Sequence, residues 1–123
     1  FYWNLLFGNI AGFQPNLAHM GAAVGEIPKD HLISFGGLGE HQLPVNSIAI
    51  ALGYGVRIGI EDNIWWDAEK NRLCTNLELV QRVHDLLQIL GKDFMKPGKL
   101  KRLGFSNKKR LSEEKETLPY SSY

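Results

Sequence analysis

Three short apolar runs divide the chain, and a helical pattern follows each of them. The runs lie at residues 2–7, 31–35 and 56–60, and their lengths are typical of β-strands buried on both faces. The spacing of apolar residues between the runs is helical, most clearly from Leu77 to Leu90. Crossover connections of this length join parallel strands. The sequence therefore predicts an α/β fold, either an open doubly wound sheet or part of a (β/α) barrel.

Proline and glycine mark the ends of the predicted helices. Pro15 and Pro44 suit the first turns of the first and second helices, where a backbone N–H has no partner within the helix. Gly25 and Gly91 suit the ends of the first and third helices. A further short helix is predicted to end at Gly104.

The length of the chain limits how much of a barrel it can form. It has 123 residues, whereas a complete eight-stranded barrel takes about 250. It opens within an apparent strand and without an initiator Met, as expected of the C-terminal portion of a longer protein. We predict one domain over residues 1–104 and a disordered tail over residues 105–123, where charged residues replace apolar ones.

Net charge and cysteine content limit the expected binding partners and the expected cellular compartment. The formal net charge of +1 predicts binding to neither nucleic acid nor membranes, and the opening apolar run is too short to span a bilayer. The single cysteine, Cys74, excludes an internal disulfide and favours a reducing compartment. We therefore expect a cytoplasmic protein, while a targeting segment upstream of Phe1 is left open.

The third run alternates between apolar and polar side chains. Its polar face carries Arg57, Gly59 and Glu61. An exposed antiparallel strand shows the same pattern, but parallel strands are normally apolar on both faces, and in a barrel the polar face would point toward the axis. A regular strand would separate Arg57 from Glu61 by roughly 13 Å at ~3.3 Å per residue. That distance is too long for direct pairing without side-chain reach, yet both side chains could line one cavity.

Two adjacent carboxylates, Glu61 and Asp62, follow at the end of this strand. Enzymes with α/β folds place catalytic groups at the carboxyl ends of their strands. Beside Arg57, these carboxylates are candidates for a metal ligand, a general base or both. An ordinary ion pair with a helix-capping aspartate explains the same residues, and the pattern alone does not decide between the two interpretations.

Four further residues are candidates for contact with a substrate. Gly37 and Gly39 join a strand to a helix, where backbone N–H groups can bind a carboxylate or phosphate; a tight turn with close packing is the alternative. His41 follows at the helix start. Trp65 lies in the long loop after Asp62 and is either a substrate lid or a packing residue.

The stretch from Gly55 to Asn63, followed by Trp65-Trp66, resembles a signature of the β-keto acid cleavage enzymes. Similar segments lie upstream and downstream, and the resemblance covers residues 2–104. It implies a (β/α)8 TIM barrel, of which this chain would supply the last three β/α units. It also implies an acyltransferase reaction in which a β-keto acid condenses with acetyl-CoA. A retro-Claisen cleavage then releases acetoacetate and a new acyl-CoA.

The resemblance also implies roles for individual residues. Glu61 matches a glutamate that binds zinc together with two histidines of a His-x-His pair. Arg57 and Asp62 match an arginine and an aspartate that deprotonate the keto acid with a serine, which this chain does not supply. A homo-oligomer is expected for the full-length protein.

The chain departs from that family pattern in its histidines, because it has no His-x-His pair. We therefore predict that the 123-residue chain alone is inactive. A remnant of the barrel that binds a ligand or partner without catalysis remains the alternative. A structural remnant that oligomerises through exposed strand edges is a third possibility. The sequence does not identify the keto acid.

Overall fold

The computed structural model describes residues 1–105 and divides the chain into two compact units, Phe1–Lys92 and Asp93–Tyr123. Apart from Phe105, the tail predicted to be disordered lies outside the described residues. The domain boundary predicted at residue 104 stays a prediction. No helix in the described part of the chain is long and apolar enough to span a bilayer.

The first unit alternates strands and helices, which confirms the predicted α/β class. Its elements in chain order are β1 (Tyr2–Phe7), α1 (Leu17–Gly25), β2 (Leu32–Gly37), α2 (Gln42–Leu52), β3 (Gly55–Arg57) and α3 (Asn76–Ile89). One turn of 3₁₀ helix, Gly39–His41, precedes α2. The described part of the second unit contains one short helix, α4 (Pro97–Arg102).

Three parallel strands form the sheet in the order β1-β2-β3. Asn4 pairs with Ser34 and Ser34 with Gly55, while Leu6 pairs with Gly36 and Gly36 with Arg57. Consecutive strands are therefore neighbours, and their carboxyl ends lie along one edge of the sheet. This order is compatible with a segment of a barrel.

The core lies between one face of the sheet and helices α1 and α2. Its buried members are Phe7, Met20, Phe35, Val45 and Ala49. The rings of Phe7 and Phe35 lie 5.1 Å apart, and Tyr54 stacks on Phe35 at the same separation. Offset and tilted aromatic pairs of this kind add about 0.5–1.5 kcal/mol each beyond their buried area.

Local capping explains where two of the helices begin. The Asn16 side chain accepts a hydrogen bond from His19 N at the start of α1, so Pro15 lies just before the cap and not in the first turn as predicted. Thr75 and Glu78 form a reciprocal capping box at the start of α3, which confirms the predicted start of that helix.

The prediction that the first strand is buried on both faces is wrong for the described structure. Phe7 is fully buried, but Tyr2, Trp3 and Leu6 are exposed. β1 is one of the two edge strands of the described sheet, and β2 is its neighbouring strand. One apolar edge and much of one sheet face therefore remain uncovered.

Candidate functional site

A pocket of about 530 Å³ lies at the carboxyl ends of all three strands. Segments that follow β1, β2 and β3 line it: Gly8, Leu38, Gly39, Glu40, His41, Ile60, Glu61, Asp62, Asn63, Ile64, Trp65, Asp67, Ala68 and Lys70. Ligand sites of α/β enzymes lie at this edge because the loops there converge on one point. The pocket therefore brings together five of the predicted site residues: Gly39, His41, Glu61, Asp62 and Trp65.

Arg57 and Asp62 form a two-pronged ion pair beside the pocket. Arg57 Nε donates to Asp62 Oδ2 at 3.0 Å, and Nη2 donates to Oδ1 at 3.2 Å. The Asp62 side chain is only 7% exposed. The hydrogen bond to Asp62 raises the pKa of Arg57 above its ordinary value. The guanidinium therefore stays charged and holds the carboxylate in one orientation.

The Glu61 side chain reaches that of Arg57, and the predicted third strand through Ile60 is wrong because β3 ends at Arg57. Glu61 Oε2 is 3.9 Å from Arg57 Nη2. β3 ends at Arg57, and a turn follows in which Asp62 N and Asn63 N donate to Gly59 O. The Glu61 side chain is 89% exposed. Its carboxylate is therefore open to a ligand, whereas that of Asp62 is held by Arg57.

His41 lies against the end of β1. A Cβ atom placed on Gly8 would be 2.8 Å from His41 Cδ2, so the ring covers this glycine closely. His41 Nε2 is 3.9 Å from a Glu40 oxygen. The imidazole thus lies at the pocket wall.

The two candidate glycines have different surroundings. Gly39 lines the pocket, and its N–H donates to Asp62 O at 2.8 Å. Gly37 is buried and is not among the residues that line the pocket; a Cβ there would lie 2.3 Å from His41 O. The packing interpretation of Gly37 therefore has direct geometric support, while its contact with a substrate stays a prediction.

The loop after the site is an ordered hairpin-like segment that presents Trp65 to the pocket. Trp66 N donates to Arg72 O, and Cys74 N donates to Ile64 O. The guanidinium groups of Arg72 and Arg82 lie 4.7 and 4.6 Å from the centre of the Trp66 ring. Arg82 lies on α3, so its cation–π contact and its hydrogen bond to Trp66 O connect the loop to that helix.

Comparison with known proteins agrees with this geometry. Residues 1–104 match the family model described as beta-keto acid cleavage enzyme. The chain belongs to the beta-keto acid cleavage enzyme family. It is 29% identical over 100 residues to the 3,5-dioxohexanoate:acetyl-CoA acetone transferase of Paraburkholderia graminis, covering 80% of this chain and 32% of that protein.

Two further relatives carry related names. The chain is 36% identical over 78 residues to the 3-keto-5-aminohexanoate cleavage enzyme of Fusobacterium nucleatum, covering 63% of this chain and 28% of that protein. It is 27% identical over 81 residues to the 3-dehydrocarnitine:acetyl-CoA trimethylamine transferase of Rhizobium meliloti, covering 66% and 26%. The matched part of this chain thus spans about a third or less of each relative.

The described residues of this family member do not form a zinc site by themselves. Among them, no group of three or more histidine, cysteine, aspartate or glutamate side chains could hold a metal ion. Catalytic zinc takes three protein ligands, and Glu61 would account for one of them. Zinc binding by Glu61 therefore stays a prediction.

Two buried amide side chains bind the backbone of the candidate site and were not among the predicted site residues. Gln42 and Asn46 lie on α2, and their side chains donate to backbone carbonyls of residues 57 and 59. One signal was present in the sequence: two amides four residues apart on the apolar side of a helix, where polar residues need partners.

Proposed function

We propose that this chain supplies the last three β/α units of a (β/α)8 barrel completed by further polypeptide. The in-order parallel sheet supports this, as does the small share of each relative that the chain covers. The sheet face opposite the helices carries Tyr2, Asn4, Ser34 and Arg57 together with Leu6 and Leu32. Tyr2 donates to Ser34 at 2.9 Å, and Ser34 donates to Asn4. A polar, hydrogen-bonded face of this kind suits a barrel interior near an active site.

The proposed reaction of the full-length protein exchanges acyl groups between a β-keto acid and acetyl-CoA. The acyl group of the keto acid moves to the coenzyme A sulfur, and the acetyl group takes its place, so the products are acetoacetate and a new acyl-CoA. The names of the relatives support substrates of this class. The observation that carries the proposal is the Arg57–Asp62 pair beside the open Glu61 carboxylate.

Arg57 and Asp62 are assigned to proton abstraction. Two hydrogen bonds from Arg57 hold the Asp62 carboxylate in one orientation. With a serine from outside this chain, this pair would remove the proton from the carbon between the keto and carboxylate groups. Gly39, His41 and Trp65 line the same pocket and are assigned to substrate binding.

Glu61 is proposed as one zinc ligand, with the remaining ligands outside this chain. A carboxylate oxygen is a ligand that zinc accepts, and the Glu61 side chain is open to the pocket. A bound zinc ion would supply Lewis-acid polarisation of the keto oxygen.

The test uses the full-length protein with acetyl-CoA and a panel of keto acids: 3-keto-5-aminohexanoate, 3-dehydrocarnitine and 3,5-dioxohexanoate. Acetoacetate release and zinc content are measured in the wild type and in Arg57→Ala. We expect the substitution to lower acetoacetate release by at least about 100-fold, because a positioned acid–base group contributes that much. Zinc content should not change, since Arg57 is not a ligand in this proposal.

Arg102→Ala is the matched control, because Arg102 is an exposed arginine on α4. It should retain wild-type activity. Full activity in Arg57→Ala would refute the role of Arg57. A wild-type protein that binds keto acids but releases no acetoacetate would favour the non-catalytic alternative.

A further inference from the structure

Helix α2 buries two neutral amides on the side that faces the sheet. Gln42 is 0% exposed and Asn46 is 3% exposed. They are four residues apart, so both side chains project from one face of the helix. Burial of an amide is unfavourable unless it is hydrogen-bonded. The bonds that these two side chains make therefore indicate what they do.

Asn46 binds the sheet at the point where β3 ends. Its Nδ2 donates to Phe35 O and to Arg57 O, each at 3.2 Å. Gly36 and Arg57 form the last paired positions of β2 and β3. The Asn46 side chain thus donates to the backbone carbonyl of Arg57 itself.

Gln42 binds the turn that follows. Its Nε2 donates to Gly59 O at 3.2 Å. The same carbonyl accepts hydrogen bonds from Asp62 N at 3.2 Å and from Asn63 N at 3.3 Å. Gly59 O is therefore the centre of the turn, and Gln42 connects that centre to α2. A shift of this carbonyl would move the backbone of Asp62 and Asn63.

Gln42 makes this connection at an energetic disadvantage. Its Oε1 is buried and has no hydrogen-bond partner among the described residues. An unpaired buried carbonyl costs more than a neutral hydrogen bond contributes. An apolar side chain of similar size would therefore give the folded protein equal stability. Buried polar groups that do not favour stability concentrate at functional sites.

We propose that Gln42 and Asn46 are positioning residues that hold the backbone of residues 57–59, so that Arg57 and the two carboxylates keep their geometry at the pocket. The kinetic part of this inference rests on the proposed function. The structural part does not, because it concerns the Arg57–Asp62 pair directly.

The experiment replaces Gln42 by methionine, which has a similar volume and no polar amide, in the full-length protein. We expect the thermal unfolding midpoint to stay within a few degrees of the wild type, since a lost hydrogen bond and a lost unpaired carbonyl offset each other. We expect kcat to fall by about 10- to 100-fold, because small misplacements of reacting groups have effects of this size. The Arg57 Nε–H resonance in ¹⁵N NMR spectra should shift.

Ser47→Ala is the matched control on the same helix. The Ser47 hydroxyl donates to Leu43 O at 2.7 Å, within α2 itself. This variant should leave both kcat and the Arg57 resonance unchanged. If Gln42→Met does not fold, Asn46→Ser provides the second test. Its single hydroxyl donor can serve only one of the two carbonyls, so the Arg57 resonance should again shift.

Three results would overturn the inference. One is a Gln42→Met protein with wild-type kcat and an unmoved Arg57 resonance. Another is a loss of activity no larger than the loss of folded protein, which would indicate a structural role only. The third applies if Asn46→Ser is needed, and is an unmoved resonance in that folded variant. Failure of the proposed function looks different: the wild type would release no acetoacetate, while the resonance would still shift in the variant.

Discussion

Gly37→Ala is expected to be the most damaging single-methyl addition at the candidate site. A Cβ atom on Gly37 would lie 2.3 Å from His41 O and 2.6 Å from both His41 C and Gln42 Cα. All three are backbone atoms, so no side-chain rotation can relieve the contact. Ordinary contact begins at 3.4 Å. The start of α2 would therefore have to move away from β2 by about 1 Å.

The magnitude follows from what α2 carries. Val45 and Ala49 on this helix are fully buried in the core, and Asn46 bonds both neighbouring strands. Overpacking a well-packed site costs about 1–3 kcal/mol and occasionally more. Because the clash involves rigid backbone on both sides, we expect Gly37→Ala to cost about 3 kcal/mol or more. That is a large part of the ~5–15 kcal/mol by which a typical domain is stable.

Urea unfolding of the purified protein measures this effect, and two other glycines provide matched comparisons. Gly39 has no atom within 4 Å of the added Cβ but a φ of +57°, so Gly39→Ala should cost about 1–2 kcal/mol through backbone conformation alone. Gly21 has open space and lies within α1, so Gly21→Ala should stabilise by about 0.5–1 kcal/mol. The reasoning is refuted if Gly37→Ala is as stable as Gly39→Ala.

Two further predictions concern α3. Leu79→Ala should lower the free energy of unfolding by about 2–5 kcal/mol, because Leu79 is 1% exposed. Leu77→Ala should change it by less than about 0.5 kcal/mol, because Leu77 is 78% exposed; equal effects in urea unfolding would contradict this. The hydrogen bond from Arg72 lowers the pKa of Glu78, so the stability that Glu78 contributes is present above its unfolded pKa and is lost as pH falls through its folded pKa. Glu78→Gln should therefore destabilise at neutral pH and flatten the acid limb of a stability–pH curve, and an unchanged acid limb would contradict this.

The regular elements could be predicted because their signals are local. Apolar periodicity and caps located β1 at residues 2–7 and the start of α3 near Thr75. The alternating third run also placed Arg57 near the carboxylates, although Arg57 lies beside the pocket that Glu61 and Asp62 line and is not among its lining residues. The residues of one strand, however, do not determine which strand it pairs with or how many of its residues are paired.

The geometry of the site depended on such partners and was not predictable in detail. β3 ends at Arg57 because pairing with β2 stops at Gly36 and the Asn46 amide then takes the Arg57 carbonyl. The turn that follows replaces an extended strand and brings Glu61 to 3.9 Å from Arg57. The exposure of β1 likewise depends on what packs against it, because its apolar sequence alone predicts a buried strand.

The two faces of the sheet carry residues of different kinds. Phe7 and Phe35 lie on the face that packs against the helices, whereas Ser34 and Arg57 belong to the opposite face. Adjacent strand residues point to opposite faces, so Phe35 can serve the core while its neighbour Ser34 serves the polar face. Substitutions on the packed face should therefore change stability, whereas under the proposed function a substitution of Arg57 should change chemistry. The α2 amides are the exception, because they reach from the packed side to the backbone of the site.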